Sequence, residues 1–255
     1  QEGNSFTINF YDDNTGEFNT NGLPVHFAKS IVIGNYIHLH NTIPIRGSFT
    51  LNESPGKWGQ ILKTLRYIPG LGWVNKIGLR NPGIDYAIKT YKKGEIISIA
   101  IMDKKEIKPI LEKIPEDMDI ELNVSCPNTD EDMVNDGLKP FLNDKRKWCI
   151  VKLSPLENCL NINIFYESGF RQFHASNTLP SDRGGISGTK LKPYTLSTIR
   201  YLKNNYNDCI VIAGGGIYDT KTMEEYKKSG ADHFSVSTIF FHPFKTFSFF
   251  SNIYF

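Results

Sequence analysis

A cysteine flanked by two asparagines is the first group in this sequence that could carry out chemistry. Cys126 stands in the segment Asn123-Val124-Ser125-Cys126-Pro127-Asn128, which follows an apolar run. A thiol can act as a nucleophile or as a proton acceptor, although its ordinary pKa of about 8.5 requires partial deprotonation or late proton uptake. The alternative is a small buried side chain in a turn that proline stiffens, and the residues alone leave both interpretations open.

Lys152 is a second candidate, because it lies near the end of the apolar run Trp148–Leu153, where a solvated lysine would be out of place. A cation that faces an active site could hold negative charge on a substrate or on a reduced cofactor. The alternative is a lysine whose ammonium group reaches the rim through its aliphatic stem. This residue by itself favours neither interpretation.

Two short motifs near the C-terminus are suited to bind phosphate. Gly214-Gly215-Gly216 and Ser237-Thr238 each follow an apolar run. Backbone N–H groups can face an anion at such a place, and glycine allows its close approach. A tight turn that needs positive φ would also explain the glycines, but the two motifs together favour phosphate.

Four asparagines supply amide groups that suit a flat, polar heterocycle better than a metal ion. They are Asn75, Asn123, Asn128 and Asn177. The six histidines form no metal-like spacing with a carboxylate, apart from the weak pair His38-x-His40. We therefore expect no metal.

The elements that must position these groups alternate along the chain. From residue 96 onward, short runs of β-branched residues alternate with segments of helical period, which is typical of a parallel sheet built from βα units. The predicted strands are Leu23–Ser30, Ile43–Leu51, Ile96–Met102, Asp119–Ser125, Trp148–Leu153, Gln172–Ser176, Cys209–Ala213 and His233–Ser237. The predicted helices are Lys104–Lys113, Asp132–Leu142, Leu156–Ser168, Thr195–Asn204 and Thr220–Ser229.

Eight such strands in a chain of this length predict a TIM (β/α)8 barrel, whose catalytic groups follow the C-terminal ends of the strands. The segment between the first two strands is short, so we expect an abbreviated first βα unit. A doubly wound open sheet is the structural alternative, but no glycine fingerprint of a dinucleotide-binding turn follows an early strand. We expect a single α/β-barrel domain over residues 1–255, with residues 1–22 as an N-terminal polar extension or hairpin.

Composition is that of an ordinary globular protein. The 255 residues are 40% hydrophobic and 22% charged, and 29 basic residues against 27 acidic ones indicate no surface for nucleic acid. The longest apolar run, Ile96–Met102, is far shorter than the roughly 20 residues of a membrane span. Four scattered cysteines argue against a disulfide framework, and we expect Cys149 and Cys209 in the core. We expect a soluble, cytoplasmic protein without nucleic-acid or membrane partners.

Two further segments stand out. Thr178–Pro193 is a long loop rich in glycine and charge, which is typical of a lid or binding element, with a mobile surface loop as the alternative. The stretch from Phe240 to Phe255 is rich in phenylalanine and could form the final barrel helix, cover a subunit contact or touch a membrane surface. The scarcity of cations there favours packing over membrane contact.

The segments after the predicted strands resemble the FMN-dependent dihydroorotate dehydrogenases from about residue 47 to residue 242. The specific elements are Asn123-Val124-Ser125-Cys126-Pro127-Asn128 and Gly184-Gly185-Ile186-Ser187-Gly188. The other matching segments are Asn75-Lys76-Ile77-Gly78-Leu79-Arg80-Asn81-Pro82-Gly83, Val151-Lys152-Leu153, Ser176-Asn177-Thr178, Leu191-Lys192-Pro193, Gly215-Gly216 and Ser237-Thr238. The presence of cysteine rather than serine at residue 126 is similar to the soluble class 1 enzymes.

The resemblance implies FMN-dependent oxidation of dihydroorotate to orotate in pyrimidine biosynthesis. It implies that Cys126 is the general base that removes the C5 proton, and that Lys152 lies near the flavin and stabilises its anionic reduced form. The implied substrate-binding residues are Asn75, Gly78, Leu79, Asn123, Asn128, Asn177 and Thr178. The implied cofactor-binding residues are Lys29, Gly47, Ser48, Lys152, Gly188, Gly215, Gly216, Ser237 and Thr238.

Three places depart from the family pattern. Class 1 enzymes end the second strand with a Thr-Lys-Ser-like motif, whereas this chain has Arg46-Gly47-Ser48 and lacks the lysine. Class 2 enzymes have glycine there and place a lysine after the first strand, so Lys29 is a candidate substitute. The acidic segment Thr129-Asp130-Glu131-Asp132 replaces the usual Gly-Lys-Pro-like continuation after Asn128.

Three functions are therefore open. The first is a dihydroorotate dehydrogenase, the second a flavin reductase that acts on another pyrimidine, and the third a catalytically inactive barrel with a structural or binding role. The family implies either fumarate as the acceptor of a homodimer or NAD reached through an iron–sulfur partner subunit, since this chain lacks the cysteines for a cluster. A homodimer and an electron-transfer subunit are thus both expected as alternative partners.

Overall fold

A closed barrel of nine strands organises the chain. The computed structural model describes residues 4–8, 25–29, 42–55, 64–76, 78–124 and 137–254. The strands are β1 (Asn4–Ile8), β2 (Val25–Lys29), β3 (Thr42–Phe49), β4 (Leu65–Ile68), β5 (Gly72–Asn75), β6 (Ile96–Ala100), β7 (Ile120–Asn123), β8 (Cys149–Leu153), β9 (Gln172–Ala175), β10 (Gly185–Ser187), β11 (Ile210–Gly214) and β12 (His233–Val236). The α-helices are α1 (Ile84–Lys89), α2 (Ile107–Lys113), α3 (Cys159–Glu167), α4 (Lys192–Asn205), α5 (Thr220–Lys228) and α6 (Pro243–Tyr254).

Parallel pairings join the eight strands that the sequence predicts. In spatial order, β2, β12, β11, β9, β8, β7, β6 and β3 lie side by side, and every neighbouring pair is parallel. The α/β-barrel prediction is therefore confirmed. Strand β1 lies in the segment predicted as a polar extension or hairpin, and it closes the barrel by pairing antiparallel with both β2 and β3.

The interior of the barrel changes from apolar to polar along the strand direction. One apolar cluster fills the end where the strands begin, and its buried members are Ile45, Ile96, Trp148, Ile150 and Ile212. A second, larger cluster lies between the barrel and its helices. All five residues of β6 are buried, so both of its faces are covered, which explains why its sequence is apolar apart from Ser98.

Helix boundaries follow local capping. The side chain of Asn158 accepts a hydrogen bond from the backbone N–H of Leu160 at 3.0 Å, so α3 begins later than the predicted Leu156. The predicted helix over Asp132–Leu142 lies partly outside the described residues, and its described end forms the 3-10 turn Lys139–Phe141 rather than an α-helix. Proline lacks an N–H group and disfavours a helix interior, and Pro140 lies within this segment.

A second, three-stranded sheet lies beside the barrel, and it explains the long loop Thr178–Pro193. Strand β10 of that loop pairs antiparallel with β5, and β5 pairs antiparallel with β4. A Cβ on Gly184 would overlap the carbonyl oxygen of Asn75, so only glycine allows this close pairing. The loop is therefore anchored to the β4–β5 hairpin.

The phenylalanine-rich C-terminal stretch forms α6, which packs one side on the barrel core. Phe249 is buried, whereas Phe244 and Phe247 are exposed. Cys149 and Cys209 are buried in the core, as predicted. Within the residues that the structure describes, no helix combines the length and apolar character that crossing a bilayer requires.

Candidate functional site

Glu121 on β7 is a buried carboxylate at the centre of the barrel. Its Oε2 accepts a hydrogen bond from Nδ1 of His174 on β9 at 2.6 Å, and its Oε1 accepts one from Oγ of Ser98 on β6 at 2.8 Å. Nζ of Lys152 on β8 lies 3.9 Å from Oε1. The exposed fraction is 1% for the side chain of Glu121 and 13% for that of Lys152. Four neighbouring strands therefore direct charged and polar groups to one point.

The partners of Glu121 decide its charge. Burial by itself raises the pKa of this carboxyl group, but the electrostatic effects of Lys152 and His174 and the hydrogen bonds from His174 and Ser98 outweigh burial and lower the pKa to about 2. Glu121 is therefore ionised at neutral pH. A buried charge is stable only when it is paired and hydrogen-bonded, so these partners are required for the fold as well.

A row of hydrogen bonds leads from Glu121 towards the C-terminal ends of the strands. Oγ of Ser98 lies 2.9 Å from Oγ of Ser48 on β3. Nδ2 of Asn123 donates to Oγ of Ser48 at 2.9 Å, and Nδ2 of Asn177 donates to Oδ1 of Asn123 at 3.2 Å. The structure thus brings together the predicted site residues Ser48, Asn123 and Asn177.

The second sheet meets the barrel at Thr178. The backbone N–H of Thr178 donates to Oδ1 of Asn177 at 2.9 Å, and a Cβ on Gly185 would lie 2.5 Å from Oγ1 of Thr178. Nδ2 of Asn75 donates to the carbonyl oxygen of Gly185 at 3.4 Å. Asn75 is therefore linked to Thr178 and Asn177 through β10.

Gly78 and Leu79 lie in the segment between β5 and α1. Gly78 is exposed and has a φ of +67°, and the carbonyl oxygen of Leu79 accepts a hydrogen bond from Nδ2 of Asn81 at 2.7 Å. Oδ1 of Asn81 accepts from the backbone N–H groups of Thr50 at 3.0 Å and Gly83 at 2.8 Å. Since Thr50 directly follows β3, Asn81 fixes this segment at the same edge of the barrel.

Two glycine-containing loops pack on each other after β10 and β11. Gly188 has a φ of +112°, Gly215 of +96° and Gly216 of +74°. A Cβ on Gly216 would lie 2.8 Å from Cα of Thr189 and 2.9 Å from the carbonyl oxygen of Gly188, so glycine is required at this contact. The hydroxyl group of Tyr226 donates to the carbonyl oxygen of Gly215 at 2.6 Å and holds the second loop from the helix side.

Tyr218 connects these loops to the end of β12. Its hydroxyl group donates to Oγ1 of Thr238 at 2.7 Å, and a Cβ on Gly188 would lie 3.2 Å from the same hydroxyl oxygen. Ser237 directly precedes the 3-10 turn Thr238–Phe241. The predicted phosphate-binding residues of three different loops are therefore neighbours.

Two of the remaining predicted residues, Lys29 and Gly47, lie on strands β2 and β3 of the same barrel. Lys29 ends β2, which runs parallel to β12 with Phe27 opposite Val236, so its backbone lies beside the residues that follow β12. Gly47 precedes Ser48 within β3 and has a φ of +117°. Cys126 and Asn128 lie outside the described residues, so their roles stay predictions.

Sequence reasoning missed three residues of this site, namely Ser98, Glu121 and His174. Each lies in a predicted apolar strand, and a signal was present, because Glu121 and Asn123 are separated by two positions and so share one face of β7. The same period places His174 on the face of β9 that turns away from the apolar residues Phe173 and Ala175. Polar residues that recur at this period inside a buried strand indicate the interior of a barrel.

This arrangement can bind a flat polar ring and a phosphate group at one edge of the barrel. Asn123 lies opposite Lys152 across β7 and β8 and accepts a hydrogen bond from Asn177, and the loops that contain Gly188, Gly215 and Gly216 meet Thr238 through Tyr218. Glycine loops of this kind can direct backbone N–H groups towards an anion. These residues fit FMN, whose phosphate and isoalloxazine ring need both features. Among the described residues, no group of three or more His, Cys, Asp or Glu side chains is arranged to hold a metal ion.

Comparison with known proteins identifies the family of this chain. The sequence profile of the family described as Dihydroorotate dehydrogenase matches residues 42–253. The chain is 32% identical over 224 residues to the Dihydroorotate dehydrogenase B (NAD(+)), catalytic subunit, of Petrotoga mobilis, which covers 74% of this chain and 73% of the relative. It is 30% identical over 209 residues to the protein of the same name from Oceanobacillus iheyensis, which covers 68% of each.

A solved structure supports the fold. The crystal structure of DHODH from Eimeria tenella in complex with ferulenol superimposes with a TM-score of 0.52 at 16% sequence identity. The match covers 67% of this chain and 63% of the other, which is less than two thirds of its length. At this identity the likeness concerns the fold alone, whereas the family profile spans most of the chain. The chain therefore belongs to the dihydroorotate dehydrogenase family.

Proposed function

We propose that this chain oxidises dihydroorotate to orotate with FMN as its cofactor. The observation that carries the proposal is the position of Lys152, a largely buried cation held beside Glu121 at the edge where Asn123 and Asn177 meet. A fixed cation in a dry site stabilises negative charge more strongly than one in water. Family membership supports the same reaction.

The cofactor would be held by residues from several strand ends. The glycine loops and the end of β12 would hold the phosphate and ribityl chain, and Lys152 would face the pyrimidine edge of the ring. Lys29 on β2, beside β12, and Gly47 and Ser48 on β3 would complete the site. The phosphate-side residues are Gly188, Gly215, Gly216, Ser237 and Thr238. When bound, FMN supplies a hydride acceptor at its N5 atom.

The substrate would be held by amides and oriented for proton removal. Sγ of Cys126 would accept the C5 proton while the hydride leaves C6, and a general base of this kind contributes about 10²–10⁴ in rate. Gly78 and Leu79 would contact the ring through the segment that Asn81 fixes. The residues that would hydrogen-bond the ring and carboxylate are Asn75, Asn123, Asn128, Asn177 and Thr178.

The relatives suggest the electron acceptor. Their names describe NAD(+)-dependent catalytic subunits, which favours an electron-transfer subunit as the partner of this chain. A homodimer that uses a small organic acceptor is the alternative. We place the reaction in pyrimidine biosynthesis in the cytoplasm.

Two observations favour a second candidate function, a flavin reductase for another pyrimidine. Gly47 stands where class 1 enzymes have a lysine, and the segment Thr129–Asp132 is acidic. The first change removes a positive charge that the family lysine would supply, and the second adds negative charge to the sequence after Asn128. A pyrimidine without a carboxylate would tolerate both changes better than dihydroorotate would. A barrel that no longer binds flavin is the third candidate.

An absorbance spectrum followed by anaerobic addition of dihydroorotate tests the proposal. Flavin absorbance that bleaches supports the reaction, whereas flavin that stays oxidised favours the second candidate. A colourless protein that takes up no added FMN contradicts both and leaves the inactive barrel. Cys126→Ala should retain flavin and lose turnover, while Cys159→Ala, which changes an exposed cysteine at the start of α3, should retain both.

A further inference from the structure

Hydrogen counting fixes the direction of every hydrogen bond between Glu121 and Asn123. The ionised carboxylate of Glu121 only accepts, so the single hydroxyl hydrogen of Ser98 is donated to it. Ser98 must then accept from Ser48, which uses the single hydroxyl hydrogen of Ser48. Ser48 can therefore only accept from Asn123, and Nδ2 rather than Oδ1 of Asn123 must face it.

The same direction continues to the far end of the row. Oδ1 of Asn123 faces Asn177, so Nδ2 of Asn177 donates to it. Oδ1 of Asn177 then accepts from the backbone N–H of Thr178, a donor that cannot become an acceptor. The carboxylate of Glu121 at one end only accepts, and the backbone N–H of Thr178 at the other end only donates. Both ends therefore require the same arrangement, in which Nδ2 of each asparagine points towards Glu121 along the row and Oδ1 points towards Thr178.

We propose that Glu121 is a positioning residue that fixes the amide orientations of Asn123 and Asn177 through Ser98 and Ser48. The two amides would then present one pattern of donors and acceptors to a ring bound at the mouth of the barrel. The identity of that ring rests on the proposed function, whereas the orientation of the amides does not. Reversal of either amide would set two acceptors or two donors against each other, at the buried Asn123 or at the half-buried Asn177.

Lys152 and His174 support this positioning role, because both favour the ionised form of Glu121. The two carboxylate oxygens of Glu121 have different partners. Oε2 contacts His174, and Oε1 contacts both Ser98 and Lys152. Its pKa of about 2 lies far below neutral pH. The acceptor end of the row is therefore permanent under physiological conditions, and the same carboxylate orients both the cation and the amides.

The variant Ser98→Ala tests the proposal, because it interrupts the row and leaves the charges of Glu121 and Lys152 in place. The side-chain amide hydrogens of Asn123 and Asn177 are followed by hydrogen exchange in ¹⁵N spectra, without added orotate. We expect their exchange to become about tenfold faster in the variant. We also expect the dissociation constant of orotate to rise about tenfold, while the affinity for FMN changes by less than about twofold.

Two further variants separate positioning from general damage. Ser98→Thr keeps the hydroxyl group and should restore slow exchange and orotate binding. Ser235→Ala removes the hydroxyl group of a buried serine on β12 that lies outside the row, and it should leave both measurements unchanged. If Ser98→Ala does not fold, Ser48→Ala interrupts the row at its next member and replaces it in the hydrogen-exchange measurement.

The outcomes distinguish this inference from the proposed function. Unchanged exchange at Asn123 and Asn177 in a folded Ser98→Ala protein would overturn the inference. Faster exchange in a protein whose wild type binds no orotate would support the positioning role and contradict the proposed substrate. Faster exchange in Ser235→Ala as well would show a general loosening of the barrel and would also overturn the inference.

Discussion

A Cβ atom on Gly47 would lie 2.5 Å from the carbonyl oxygen of Ser98 on the neighbouring strand β6. The φ of Gly47 is +117°, which side chains other than glycine rarely adopt. A lysine at this position would therefore require β3 and β6 to separate. The positive φ of Gly47 and its close approach to β6 therefore leave no room for the side chain of the lysine that class 1 enzymes have at this position.

Gly47→Ala should destabilise the protein more than a glycine replacement without the steric contact. Gly70→Ala is the matched control, because Gly70 also has a positive φ, +75°, but a Cβ there would meet no atom within 4 Å. We expect a loss of about 1 kcal/mol in the free energy of unfolding for Gly70→Ala and at least about 3 kcal/mol for Gly47→Ala. Urea denaturation measures both, and equal losses would contradict the close packing of Gly47 on Ser98.

Glu121→Gln should reduce the loss of stability in acid. The pKa of Glu121 is lowered to about 2 from an ordinary 4.5, so its contribution is complete above about pH 4.5 and is lost as the pH falls towards 2. Between pH 5 and pH 3 the wild type should lose about 2 kcal/mol more than the variant. Urea denaturation at each pH measures this difference, and Glu224→Gln on the exposed face of α5 is the control.

The variant Glu121→Gln should also be less stable than the wild type at pH 7, because it leaves Lys152 without its buried counter-charge. A parallel loss of stability in wild type and Glu121→Gln across this pH range would exclude a strongly lowered pKa at Glu121.

Tyr218→Phe should weaken FMN binding by loosening the loops after β10, β11 and β12. The variant removes the hydrogen bond from the tyrosine hydroxyl group to Oγ1 of Thr238. We expect the dissociation constant of FMN to rise about fivefold, which corresponds to one net hydrogen bond. Fluorescence titration measures it. Tyr201→Phe removes a comparable hydrogen bond to Asn163 away from these loops and should leave FMN affinity unchanged.

The emission of Trp73 should change with the protonation of His242. Nε1–H of Trp73 donates to Nε2 of His242 at 3.1 Å, which requires a neutral imidazole. Burial, together with the charge of Lys245, lowers the pKa of His242. The rings of Tyr67 and Tyr218 also face it. The hydrogen bond therefore contributes stability above about pH 6.5 and is lost as the pH falls through the lowered pKa.

The difference in fluorescence between wild type and Trp73→Phe, recorded from pH 8 to pH 4, measures this change. His242→Gln keeps an acceptor at the same place and should remove the pH dependence. Emission of Trp73 that is constant over this range in the wild type would contradict a hydrogen bond to a titrating His242.

The strands of the barrel could be predicted from the sequence because their signal is local. A strand buried on both faces favours a largely apolar run, as in β6, where only Ser98 is polar, and the helices between the strands have their own period and caps. The motifs at the strand ends were equally visible, since Lys152 and Asn123 stand out against the apolar residues beside them. Local pattern does not reveal β10 or β1, because each depends on a partner strand that is distant in sequence.

The site itself depends on which strands become neighbours and in what register. The pairing of Asn123 with Lys152 across β7 and β8 sets the level of both side chains in the barrel, and His174 lies opposite Lys152 on β9. Glu121 is unremarkable in the sequence, and only this register surrounds it with a cation, an imidazole and a hydroxyl group. The sequence by itself therefore determined the fold class and the chemistry-bearing motifs, whose signals are local. The tertiary structure decided the charge of Glu121 and the orientation of the amides, because both depend on contacts between strands that are far apart in the chain.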